Sequence, residues 1–308
     1  RVFPVSDRAA DVIDALFFHM KKLNIPVTQA RASQICLEEG RVSGVETDCG
    51  FFPCRAAVLA TGGCSYPATG STGDGYEMAR ALGHTVVSPV PSLVPLEAEE
   101  DFCGKMQGLA LKNVSLRVKN QKGKVVYQEQ GELLFTHFGL SGPLVLSASA
   151  HMRDFDTEHY YINLDLKPAL DFDTLDRRLL RDFKKYKNKQ LLNAMCELLP
   201  QKMIATVLSA AGISEKKNVN VLTKEERFRL LNALKEFPVK PVGLRGFEEA
   251  IITSGGVELS EINPKTMEAK KVSGLRFCGE VLDADAFTGG YNLQIAFSTG
   301  YAAGRSIR

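Results

Sequence analysis

What this sequence lacks narrows its reading first. Its seven cysteines, at 36, 49, 54, 64, 103, 196 and 278, include no Cys-x-x-Cys pair. An odd and scattered set argues against a disulfide framework or a zinc knuckle, and fits free thiols in a reducing cytoplasm. No apolar run reaches the ~18 residues of a membrane span, and no signal peptide is legible. The five histidines show no metal-ligand spacing, so no metal site is expected. Thirty-eight basic and 36 acidic residues leave a net charge of +2. That balance gives no nucleic-acid footprint, so no nucleic-acid partner is expected. The basic cluster Lys184-Lys185-Tyr186-Lys187 reads as a solvated face. The fingerprint Gly-x-Gly-x-x-Gly, which opens dinucleotide-binding units, occurs nowhere in the chain.

What is present suffices for a sizeable core: 308 residues, 44% apolar, enough for two or three domains. Ser6 or Asp7 can cap a helix running to about residue 22, with Val12, Ile13, Leu16, Phe17 and Met20 as its buried stripe. Short strands are predicted at 25–27, 32–37 and 42–47, and residues 34–47 read as a hairpin. Residues 56–60 read as a buried strand running into Thr61-Gly62-Gly63, where a backbone can approach a ligand with no side chain between. The alternative there is a plain turn. Gly70 to Gly75 opens a helix that ends at Gly83. The proline-rich stretch 88–95 reads as a crossover into another domain. Strands then dominate to about residue 168, and helical spacing takes over to about 236, where Thr223-x-x-Glu226 is a capping box. Ser141 and Pro143 mark a helix start. His137, just before it, reads either as a proton donor or substrate contact, or as a hydrogen-bonded loop histidine; it is the catalytic candidate. Residues 250–257 repeat the device of a buried strand ending in Gly-Gly.

The last thirty residues organise the rest. Residues 275–278 form a short apolar run, closed by Gly279-Glu280; Asp283 and Gly289-Gly290 follow, and Asn292 is a good N-cap for a helix over 293–307. Strand, acid, glycine turn and helix start together suit an anion or an electron-rich ring, because the first N–H groups of a helix are unpaired and its start carries partial positive charge. The alternative is an edge strand and a terminal helix joined by a flexible loop.

Several stretches in order carry a resemblance. They are Arg1-Val-Phe-Pro4, Ala60-Thr-Gly-Gly63 with Gly70-Ser-Thr-Gly-Asp-Gly75, Leu134-Phe-Thr-His137 through Pro143, Asn263-Pro-Lys-Thr-Met267, and Gly279-Glu280 through Gln294. From end to end the chain resembles the BaiN/YhiN-like FAD-dependent oxidoreductases. The resemblance implies an α/β fold with α+β inserts. Residues 1–88 and 240–308 would form a partial, discontinuous FAD-binding Rossmann-like domain, with a β-rich insert at 89–168 and a helical module at 169–239. It implies cofactor contacts from Ala60, Thr61, Gly62, Gly279, Glu280, Asp283, Gly290, Tyr291, Asn292 and Leu293, and an adenine contact from the backbone near Ala32. The implied activity is hydride transfer between FAD and a small organic substrate, with NAD(P)H as the source. The rivals are an oxygen-using amine oxidase and a non-catalytic binding or scaffold module. The family's glycine fingerprint would precede Arg1, so the expectation is that this polypeptide is a fragment that folds without FAD and purifies colourless. No oligomeric state follows.

Overall fold

In a computed structural model, residues 3–152 and 154–307 are described; Arg1 and Val2 of the opening motif lie outside them. The chain divides into two units. One comprises residues 1–63, 70–89 and 254–308; the other comprises 64–69 and 90–253. The strands Val86–Ser92 and Ile252–Val257 pair with each other, and the division between units falls within each of them.

In the first unit, Ala32–Glu38, Arg41–Thr47 and Gly50–Pro53 form an antiparallel meander. The turn at Glu39-Gly40 is left-handed at both residues, as a tight hairpin of right-twisted strands requires. Ala57–Leu59 pairs in parallel with Leu275–Phe277, although more than two hundred residues separate them. Parallel pairing needs a long crossover, and here that crossover contains the whole second unit. The strand Leu275–Phe277 is buried at all three positions. Beside Phe277 lies the ring of His84, edge-on at 5.1 Å. The His84 side chain is fully buried and its Nδ1 lies 2.8 Å from Glu261 Oε2. The helix Tyr291–Ser306 returns over the Leu275–Phe277 strand, where buried Arg276 donates from Nε to Ser306 Oγ at 2.6 Å and ties down its last turn.

The second unit is built on a seven-stranded antiparallel sheet among the described residues. Its order is Phe237–Val239, Tyr160–Asp165, Ala110–Asn120, Val125–Phe135, Gly139–Ser141, Leu96–Ala98 and Pro241–Leu244. The two edge strands are consecutive in the chain, with Lys240 alone between them. A flat sheet would hold such edges several strand spacings of ~4.8 Å apart, so this one must curl round until its edges meet. Val114, Leu116, Val118, Ile162, Leu164 and Phe237 point inward and are buried. The helices Phe172–Lys185, Gln201–Ala210 and Lys224–Lys235 add Leu179, Ile204 and Leu234 to the same apolar cluster. The β-rich and helical stretches thus share one core. Each fully buried leucine or phenylalanine in it contributes ~1.5–3 kcal/mol. The capping box of the last of these helices is complete: Glu226 N donates to Thr223 Oγ1 and Thr223 N to Glu226 Oε2.

Five local expectations are corrected. The helix Ala10–Lys22 forms, but it buries no residue: Val12, Ile13, Leu16 and Phe17 are exposed, because no described element covers that stripe. Its N-cap is Ala9, and no side chain, Ser6 or Asp7 included, caps it. Residues 25–27 are not a strand. The N-caps of the helices Pro143–Ser149 and Tyr291–Ser306 are Gly142 and Gly290, not Ser141 and Asn292. Both glycines hold positive φ, +93° and +89°, and this backbone geometry starts each helix where a side-chain cap was expected.

Candidate functional site

The parallel pair aligns Ala57 with Leu275, Val58 with Arg276 and Leu59 with Phe277. One further bond, Cys278 N to Leu59 O at 3.1 Å, carries the register to the strand ends. Ala60-Thr61-Gly62 and Gly279-Glu280 therefore leave the sheet side by side, at its carboxyl edge. Ligands of open α/β sheets bind outside that edge. Gly62 and Gly279 both turn there with φ near the left-handed region, +75° and +76°. A Cβ on Gly62 would also meet Ser71 Oγ at 2.9 Å.

Two side chains that sequence reasoning missed hold these ends in place. Tyr76, buried on the helix Asp74–Ala81, donates its hydroxyl to the Glu280 carbonyl at 3.3 Å. Thr299 Oγ1 accepts from Gly279 N at 2.9 Å and donates back to Ile295 O at 2.7 Å. The terminal helix is thereby stitched to the strand end. Neither residue stands out in sequence, since each looks like an ordinary helix position. Gly75 is required for another reason: its missing Cβ leaves room for Thr61, whose Oγ1 would lie 1.9 Å from that atom.

The loop from Asp283 to Gly290 is secured at three points. Asp283 N donates to Val257 O at 3.0 Å, and Ser254 Oγ donates to Asp285 Oδ1 at 3.0 Å. Asn292 grips Ala286 with both atoms of its amide. The glycine that follows, Gly290, starts the terminal helix with no side-chain cap. Gly290, Tyr291 and Leu293 are exposed, Asn292 is half-buried, and a Cβ on Gly290 would meet nothing within 4 Å. The helix start therefore offers accessible N–H groups and the positive end of its dipole. Cys278 is buried, and burial raises its thiol pKa and so disfavours the thiolate.

A hollow of about 900 Å³ lies in the same unit, between Arg31–Ile35 on one side and Asp74, Met78 and Leu82 on the other. Arg31 and Asp74, both in its lining, form a 2.9 Å ion pair, and that hydrogen bond holds the Asp74 carboxyl below its usual range. His137 belongs to the other unit; it is exposed, with its ring edge-on to Phe138 at 4.9 Å. Among the described residues, no group of three His, Cys, Asp or Glu side chains could hold a metal, and no helix is long and apolar enough to cross a membrane.

The ten residues expected to contact a cofactor all fall in the first unit. A profile of the HI0933-like protein Rossmann domain matches residues 1–306. The chain belongs to the HI0933-like Rossmann family. The family is one of FAD-binding oxidoreductases. The chain is similar to a 3-dehydro-bile acid delta(4,6)-reductase of Clostridium scindens, 29% identical over 99% of this chain and 75% of its own. A ribosomal RNA dihydrouridine synthase of Escherichia coli is 31% identical over 98% of this chain and 72% of its own. A protein of the same name from Haemophilus influenzae is 34% identical over 82% of this chain and 60% of its own. Among solved structures, Aquifex aeolicus GidA aligns over 93% of this chain at a TM-score of 0.34 and 13% identity, a likeness too slight to argue from. The chain spans under half the length of that protein.

Proposed function

We propose that this protein is a flavin-dependent reductase, and that the carboxyl edge of its parallel strand pair holds FAD. The observation that carries this reading is the uncapped, exposed helix start at Gly290, in the same unit as the paired strand ends at Gly62 and Gly279. The residues present fit the cofactor. Backbone N–H groups of Tyr291, Asn292 and Leu293 would face the pyrimidine edge of the flavin, where they stabilise negative charge in a fixed, preorganised direction. Glu280 and Asp283 would accept from the ribityl hydroxyls or flank the pyrophosphate. Ala60, Thr61 and Gly62 would lie along the dinucleotide, and the hollow beside Ala32 has room for the adenine. FAD, when bound, supplies the hydride chemistry. The protein's part is to orient the ring and exclude side chains from its edge at Gly289 and Gly290.

The substrate class follows from what the relatives' names have in common. A bile acid delta(4,6)-reductase and a dihydrouridine synthase both saturate a carbon–carbon double bond in conjugation with a carbonyl group. Such a reaction adds one hydride and one proton, and a reduced nicotinamide, NADH or NADPH, would return the hydride to the flavin. A small unsaturated ketone is the first substrate to try, and uridine in ribosomal RNA the second.

An anaerobic half-reaction test decides between the readings. NADPH or NADH should bleach the bound flavin, and an α,β-unsaturated ketone or rRNA should restore its colour without oxygen. Colour returning only when oxygen is admitted would make the protein an oxidase. Absence of any flavin in the protein as the cell makes it would leave the non-catalytic module.

A further inference from the structure

The whole-chain charge is nearly balanced, but the balance is not local. From Phe102 to Gln128 the chain carries Lys105, Lys112, Arg117, Lys119, Lys122 and Lys124 and no acidic residue at all. Most of that stretch is the strand Ala110–Asn120 and its turn into Val125–Phe135. Strand alternation sends Leu116 and Val118 into the core and Ser115, Arg117 and Lys119 to the outer face. Register then extends the outer face across neighbouring strands: Tyr161 lies opposite Lys119, and Asn163 and Gln128 lie on either side of Arg117.

This face is neither flat nor sealed. Two hollows of about 300 and 360 Å³ open on it and share Asn163. Arg117 is aimed by its neighbours, with Nε donating to Gln128 Oε1 at 3.2 Å and Nη1 to Glu236 at 3.0 Å. That ion pair offsets part of its charge, as Asp165 does for Lys235, and Glu100 lines the second hollow beside Lys119 and Lys240. Lys122 and Lys124 are exposed at the hairpin end. Tyr161 is 47% exposed, and it stands opposite Lys119 on the neighbouring strand.

We propose that this outer sheet face binds single-stranded RNA. Each part matches one need of that ligand: an exposed ring on which a base can stack, amides that can pair with base edges, and lysines along the track of the phosphates. The two ribosomal RNA enzymes among the relatives favour RNA over other polyanions; nothing else in the proposal rests on the reductase reading.

The test is fluorescence anisotropy with a fluorescein-labelled oligouridylate, with the protein as the cell makes it and no redox chemistry involved. Binding at low salt is expected. Tyr161→Ala should weaken it about tenfold, while Tyr161→Phe keeps it. The triple change Lys119→Ala, Lys122→Ala, Lys124→Ala should weaken it and flatten the salt dependence by about 2 in log–log slope. A control triple on the helical side, Lys184→Ala, Lys187→Ala, Lys189→Ala, should leave both unchanged. Unchanged melting temperatures establish that the variants fold. The proposal is overturned if the wild type does not bind, if the control triple loses as much, if Tyr161→Ala has no effect, or if polyglutamate competes as well as RNA. Flavin reduction by nicotinamide and reoxidation by an enone are measured separately, so failure here leaves the reductase reading standing.

Discussion

Asn292 holds Ala286 by both ends of its amide, accepting from the Ala286 N–H at 2.8 Å and donating to the Ala286 carbonyl at 2.7 Å. The side chain expected to cap the terminal helix instead pins the loop in front of it. Replacing Asn292 with Ala should therefore leave helix content unchanged but free the loop from Asp283 to Gly290. Two neutral hydrogen bonds are lost, each worth about 1 kcal/mol, so FAD affinity should fall by up to about thirtyfold. Asn292→Asp keeps the acceptor alone and should fall between. Circular dichroism and a flavin titration read the two effects separately; a loss of helix would restore the capping role.

Gly256 lies where the strand Ile252–Val257 passes the chain at Val281 to Asp283. Its φ is +134°, and an added Cβ would come within 2.6 Å of the Val281 carbonyl and 3.0 Å of Asp283 N. These are backbone atoms, so the contact cannot be relieved by a rotamer change. Gly256→Ala should cost about 2–3 kcal/mol through overpacking and strain, read as a lowered urea midpoint. A midpoint equal to wild type would show that the two segments separate easily.

Arg276 is almost fully buried and has two functions for one side chain: Nε meets Ser306 Oγ at 2.6 Å, and Nη2 approaches Glu268 at 3.6 Å. Arg276→Ala should destabilise the protein by about 2–3 kcal/mol, the range for lost hydrogen bonds to a charged group. Faster amide exchange in the last turn of the helix Tyr291–Ser306 should accompany it. Unchanged exchange there would mean that the helix end is held by other contacts.

How much of this was legible in the sequence depends on what each residue had to meet. The hairpin at 34–47, the helix after Gly73 and the capping box at Thr223 were readable because short-range pattern decides them. The strand ends at Leu59 and Phe277 were readable as glycine-terminated apolar runs, although their parallel pairing is a matter of tertiary structure. The stripe of the first helix misled, because periodicity reports which face is apolar and not whether anything covers it. Asn292 misled for a related reason: its position suits a cap, but a loop six residues back competes for the same amide. Tyr76 and Thr299 were invisible, since their partners are main-chain groups distant in sequence or set by the fold.

The network around His84 makes stability depend on pH. Burial pushes the Glu261 carboxyl upward, but hydrogen bonds from Lys271, Thr85 and His84 outweigh it and hold its pKa down at about 2. A carboxylate with a folded pKa below its unfolded value, ~4.3, stabilises the fold fully above that value. The contribution is lost as pH falls from there to about 2. Glu261→Gln should lower stability near neutral pH and flatten its decline through that acid range. Parallel acid-stability curves for wild type and variant would remove Glu261 from this role.

The most direct test of the flavin site is Gly290→Val in the protein as the cell makes it. Gly290 holds φ +89° at an exposed helix start with open space around it. A valine there would strain the turn and place a branched side chain over the N–H groups assigned to the flavin edge. FAD released per mole of protein is the quantity to measure. The account predicts near-stoichiometric FAD in the wild type and a marked loss in the variant, with the fold retained; equal FAD in both would contradict it.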